Sequence, residues 1–206
     1  AKVPPAQAWD IVQKKAAGKG LAEGKMRAKS LGYTEDQQPF IAAIHAYTGS
    51  LYEKVNKTLR DNVGRYKDFA QVATEGVRRL PKYQGRARRG ITDEEGGKLK
   101  ERLKGAADEA LKSDKPLQFR GFFSAATPDG GFGGDIEFHI DARGVQGADV
   151  DDLSAHQGEK EILFPHQSRF RVQSYEEDGD TLKVYLMEDP DYLGEGGVKF
   201  TLPLPR

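Results

Sequence analysis

The apolar residues of this chain change their spacing near its middle. In the first 80 residues they recur at helical intervals. Phe40, Ile44 and Tyr47 fall at i, i+4 and i+7 behind Asp36, with Pro39 just inside, which predicts a helix that Gly49 ends. Ser50-Leu51-Tyr52-Glu53 then reads as a capping box: the serine hydroxyl takes the third amide proton and the glutamate reaches back. The helix it opens carries Leu51, Val55 and Leu59 on one stripe and Tyr52, Asn56 and Arg60 on another. Phe69, Val72, Ala73, Val77 and Leu80 mark a further helix, stopped before Pro81. Ahead of these, Trp9, Ile11 and Val12 sit on a helix, and glycines follow from Gly18 to Gly24. Residues 1–35 are therefore expected as a helical extension or linker, and 36–206 as the main domain.

Beyond Pro81 the texture differs. Residues 83–91 are strand-like, punctuated by glycine and rich in arginine. Thr92-Asp93-Glu94-Glu95 is a second capping box, opening a polar helix through Leu99 and Leu103. From Phe119 onward the period is two, with strands predicted over 118–126, 135–141, 159–165, 170–175, 182–188 and 198–202. Helices first and mostly antiparallel strands after them is the α+β pattern.

Composition removes several classes. The chain has no cysteine, which excludes disulfides, thiol nucleophiles and thiolate metal sites. His45, His139, His156 and His166 lie far apart without metal-ligand spacing, so no metal is expected. The longest uncharged apolar stretch, 40–44, is far below the ~20 residues a bilayer needs. The chain begins at Ala rather than Met, and is expected to be an excised domain or a processed product.

Net charge is zero, yet the halves differ: residues 1–115 hold 24 Lys and Arg against 15 Asp and Glu, and the rest hold 8 against 17. A basic half facing an acidic one suits an anionic ligand held between them, and equally suits two lobes that pack on each other. No basic run is dense enough, or interleaved with aromatics, to point to nucleic acid.

Three spots can carry chemistry. Arg89 precedes Gly90: a guanidinium forks onto phosphate oxygens, and a glycine beside it lets backbone approach a ligand. Taken alone, Arg89 also fits a solvated surface arginine. Ser124 follows Phe122-Phe123, where alternation puts Phe122 and Ser124 on one face. It fits a buried, satisfied hydroxyl as well as a site residue, and no G-x-S-x-G elbow surrounds it. Glu159 and Glu161 bracket Lys160 before an apolar run, and on a strand they would share a face roughly 6.6 Å apart. An exposed strand entrance is the plain alternative.

Together, in this order, these residues resemble the Arg–Ser–Glu signature of mono-ADP-ribosyltransferases, in particular the arginine-modifying class of bacterial toxins and effectors. Tyr47-Thr48-Gly49 and the helix from Tyr52 to Arg60 resemble the helix behind that family's NAD pocket. Gly147-Ala148-Asp149-Val150 with Leu153-Ser154 resembles the approach to its catalytic strand. The family's Ser-Thr-Ser stands here as Ser124-Ala125-Ala126, keeping the first serine, and Arg88 stands where an aromatic is common. The register beside Gly90 selects Arg89.

The resemblance implies helices packed on two mostly antiparallel sheets around an NAD cleft. It implies a glycosyl transfer in which ADP-ribose moves from NAD, as co-substrate and without a metal, to an arginine of a target protein. In that chemistry Glu161 steadies positive charge growing on the ribose, and Ser124 holds Glu161. Arg89 grips pyrophosphate or ribose, and the Gly90 backbone meets the nicotinamide amide. Phe132, in the glycine-rich loop 130–134, would stack on nicotinamide. Tyr52 and Asn56 would touch NAD, and Arg60 a phosphate or a carboxylate. Glu159 would orient the incoming arginine and take its proton. The setting implied is a secreted or injected virulence effector acting in the target-cell cytoplasm, with room for a cognate immunity or inhibitor protein. An NAD glycohydrolase of the same fold and a degenerate, non-catalytic binding domain remain as alternatives; a two-carboxylate glycosidase is remote.

Overall fold

The computed structural model describes residues 2–61, 64–128, 133–191, 194 and 196–203. Among them are six α-helices and nine β-strands. The helices come first: α1 Pro5–Ala16, α2 Leu21–Ser30, α3 Gln38–Ala46, α4 Tyr52–Asp61 and α5 Lys67–Arg79. Strand β1, Gln84–Ile91, leads to helix α6, Lys98–Ser113. Then follow β2 Leu117–Phe119, β3 Phe123–Ala126, β4 Ile136–Arg143 and β5 Ala148–Asp149. The last four strands are β6 Glu161–Phe164, β7 Arg169–Asp178, β8 Thr181–Glu188 and β9 Val198–Phe200.

Helix α3 is the axle of the helical layer. Every residue from Pro39 to Ala46 is buried, as befits a helix apolar on all sides. Glycines let its neighbours close in. A Cβ on Gly24 of α2 would lie 3.2 Å from the Ala42 backbone, and one on Gly76 of α5 would lie 2.9 Å from the Phe40 carbonyl oxygen. The segment 1–35 is helical from Pro5, and its Ala8, Val12, Ala16 and Ala28 share one core with α3 and α5.

Gly49 does not end a helix. A single π turn, Tyr47–Leu51, carries the chain from α3 straight into α4, so Ser50 sits inside a helical run rather than at its cap. The second capping box works through another residue than expected. The Asp93 carboxylate accepts the amides of Glu95 and Lys100, 2.9 and 3.1 Å away, and α6 begins only at Lys98. Leu99, Leu103, Ala107 and Ala110 then form its buried stripe.

The strands join in the order β5-β6-β3-β1-β4-β8-β7-β2-β9. Two neighbour pairs, β4–β8 and β2–β9, are parallel; the other six are antiparallel. The three-strand and six-strand parts are linked by one residue pair, Arg88 opposite Ala126. They face each other as two layers, with Phe123 and Phe164 from the smaller part against Phe119, Phe138 and Phe170 from the larger. Burial of each such ring is worth roughly 1.5–3 kcal/mol. The outer side of β5 and β6 packs Ala148 and Leu163 against the helices.

The predicted strand over 118–126 is broken at 120–122, and the break has a use. Phe122 turns toward the helical core while Phe123 stays between the sheets. The Phe122 amide, which has left the ladder, donates to Asn56 Oδ1 at 3.0 Å.

Candidate active site

A cleft opens where the two sheet parts meet. It is lined by Arg88, Arg89, Gly90, Ser124, Ala125, Ala126, Glu159 and Glu161. The two arginines come from the basic half of the chain and the two glutamates from the acidic half.

Strand register explains how Ser124 and Glu161 meet. Ser124 pairs with Leu163, and Ala126 with Glu161, so Ser124 and Glu161 are diagonal neighbours on one face. The Ser124 hydroxyl donates to Glu161 Oε2 at 2.8 Å, and Glu161 is only 2% exposed. Arg89 reaches the same place from β1. Its Nη1 donates to the Ser124 carbonyl oxygen at 2.8 Å, and its guanidinium lies 5.5 Å from the Phe123 ring centre. Arg89 is buried, whereas Arg88 is only half-buried, so the deep anchor is the arginine beside Gly90.

Glu159 reaches the cleft by a different route from the one expected. Strand β6 starts at Glu161, and Glu159 is exposed on the segment before it. Two-residue alternation therefore does not place it. Lys160 takes φ 54°, a left-handed conformation, and its amide donates to Asp151 Oδ1 at 2.9 Å. That turn lets Glu159 and Glu161 line the same cleft from different elements.

Other expected residues lie elsewhere. Asn56 is buried with its amide engaged at both ends: Oδ1 accepts from Phe122, and Nδ2 donates to the Tyr47 hydroxyl at 3.0 Å. It ties α4 to the strand break and does not line the cleft. Tyr52 lies half-buried against the helical core. Arg60 opens into a separate cleft with Lys67, Arg120 and Lys199. Phe132 lies outside the described residues. The spacing argument missed His45 and Thr48, which hold the segment before Glu161, and Asp151, which closes it. A Thr-Gly pair in a helical run and an aspartate ahead of the twin glutamates were the available signals.

The chain matches the sequence model of a family described as ADP-ribosyltransferase exoenzyme over residues 7–191. It is 32% identical over 159 residues to the NAD(+)–protein-arginine ADP-ribosyltransferase Tre1 of Serratia proteamaculans, covering 74% of this chain and 32% of that protein. The chain thus spans about a third of this curated relative's length. Among solved structures, exoenzyme S of Pseudomonas aeruginosa, in complex with human 14-3-3 protein beta and bound to carba-NAD, shares the fold. Its TM-score is 0.67 at 19% identity, covering 93% of this chain and 90% of that one. The ADP-ribosyltransferase HopU1 of Pseudomonas syringae pv. tomato follows at 0.61 and 18%, covering 92% and 89%.

Proposed function

The chain belongs to the ADP-ribosyltransferase exoenzyme family, and on that premise we propose that it moves ADP-ribose from NAD to arginine side chains of a target protein. The observation that carries the reading is the Ser124–Glu161 hydrogen bond inside a cleft also lined by Arg89 and Glu159.

The reaction breaks the bond between ribose C1′ and the nicotinamide nitrogen. The electron pair leaves with nicotinamide, whose cationic ring becomes neutral, so no general acid is required. Positive charge develops on the ribose, and a buried carboxylate beside it strengthens its hold as that charge grows. Glu161 fills this role, oriented by Ser124. Arg89 suits the pyrophosphate or the adjoining ribose, and the backbone of Gly90, which lines the cleft, suits the carboxamide. A guanidine nitrogen then forms the new bond to C1′ and loses one proton. Guanidinium is a poor nucleophile because it stays protonated at neutral pH. Glu159, at the mouth of the cleft, orients it and accepts that proton.

The products are nicotinamide, ADP-ribosyl-arginine and a proton. The reading extends to a secreted or injected effector acting in the target-cell cytoplasm on a protein with an exposed arginine. No helix among the described residues is long and apolar enough to cross a membrane.

The test uses NAD with agmatine, a soluble guanidine, and follows nicotinamide release and ADP-ribosyl-agmatine separately. Glu161→Ala is expected to abolish both. Glu159→Ala is expected to abolish transfer and leave hydrolysis. Free ADP-ribose as the sole product of the unmodified protein, with agmatine and with protein acceptors, would favour a glycohydrolase instead.

A further inference from the structure

Glu159 is carried by the segment 150–160, which joins β5 to β6. Its outer residues, from Ala155 to Lys160, are exposed, while Leu153 and Ser154 at its root are buried. Its neck and its inner limb are both held. The Asp151 carboxylate accepts the amides of Gly158 and Lys160 at 3.1 and 2.9 Å, closing the neck. The helical layer grips the inner limb. His45 Nδ1 donates to the Leu153 carbonyl oxygen at 3.0 Å. Thr48 Oγ1 accepts the Ala155 amide at 3.0 Å and donates its own proton to the His45 carbonyl oxygen at 2.9 Å. Thr48 is fully buried and sits in the π turn, a helix irregularity frequent at functional sites.

Ser124 and Glu161 stand on β3 and β6 and are set by strand pairing, with the Glu161 carbonyl oxygen also accepting the Val150 amide at 3.0 Å. Glu159 stands on the gripped segment itself. We propose that Thr48, backed by His45, is a positioning residue for the acceptor side of the reaction. By pinning the inner limb it keeps Glu159 over the cleft, and so sets how the activated ribose is shared between a guanidine and water. This deepens the arginine-transfer reading and rests on it.

The experiment compares the unmodified protein with Thr48→Val, which keeps the side chain's shape but loses both hydrogen bonds, and with Thr48→Ser, which keeps the hydroxyl. The substrates are NAD and agmatine. The one bond that reaches the segment, Ala155 amide to Thr48 Oγ1, corresponds at the upper end of ordinary strength to about a tenfold effect. Thr48→Val is expected to transfer about tenfold less to agmatine, with a raised KM for agmatine. Its NAD hydrolysis and KM for NAD are expected to stay within about twofold, and Thr48→Ser to restore the ratio. Ala155→Pro removes the same amide donor from the loop side and is expected to give the same shift, which keeps the test intact should Thr48→Val fail to fold. A transfer-to-hydrolysis ratio unchanged in the folded variants, or both activities falling together, overturns the proposal. Absence of transfer in the unmodified protein is a separate result: it strikes the arginine reading first, and this inference with it.

Discussion

Replacing Ser124 with alanine removes the hydroxyl that donates to Glu161 Oε2 at 2.8 Å and changes little else. Arg89 is anchored on the Ser124 carbonyl oxygen, which alanine retains, so the arginine should stay in place. A hydrogen bond to a charged group is worth about 1.5–3 kcal/mol. Glu161 is 2% exposed, so solvent has poor access to replace the lost donor. Each ~1.36 kcal/mol is a tenfold change in rate, so kcat should fall by roughly 10- to 150-fold. The loss should be equal for transfer to agmatine and for NAD hydrolysis, because both pass through the same charge on the ribose. KM for NAD should move far less than kcat. Steady-state nicotinamide release, with and without agmatine, measures all of this, and a melting curve checks the fold. A kcat within twofold of the unmodified protein would refute the reasoning. So would a loss confined to transfer, since that would place Ser124 on the acceptor side.

The remaining predictions concern stability. Asn56→Ala removes the acceptor of the Phe122 amide and a donor to the Tyr47 hydroxyl, which should cost about 2–4 kcal/mol in urea unfolding. A loss under about 1 kcal/mol would contradict its role as the tie between α4 and the strand break. His166 is held down to about 4, chiefly by burial and also by the Arg78 charge. An unfolded histidine titrates near 6.5, so between pH 6.5 and 4 the unfolded chain binds the extra proton and stability falls as pH drops. Between pH 7 and 4.5 this group should remove about 2–3 kcal/mol. His166→Gln should lessen that loss in paired urea titrations, and an identical fall in the variant would exclude His166 as its source.

Much of the architecture was legible along the chain. Helical spacing through Phe40, Ile44 and Tyr47, and two-residue spacing from Phe119 onward, follow from where side chains point in each regular structure. The order of Arg89, Ser124, Glu159 and Glu161 was equally readable, because each sits in a recognisable local setting. Where the local signals misled, a contact distant in sequence had prevailed. Gly49 looks like a stop, yet a π turn runs through it, and the adjoining Thr48 bonds Ala155 across 107 residues. Tyr52 and Asn56 share a stripe, but the stripe does not say what covers it. Asn56 meets a strand break 66 residues away, whose orphaned amide needs an acceptor.

The amino-acid order alone carries the inventory: most of the helical and extended segments, and the side chains able to bind phosphate, donate to a carboxylate or steady a cation. Convergence comes from the folded chain. Register across β3 and β6 brings the hydroxyl to the carboxylate, and a left-handed residue at Lys160 aims Glu159 where alternation would not. Periodicity is a local property of the backbone and survives in one dimension. Register, closure of a loop and the pairing of buried polar groups depend on which distant surfaces meet, and that is settled only when the whole core packs.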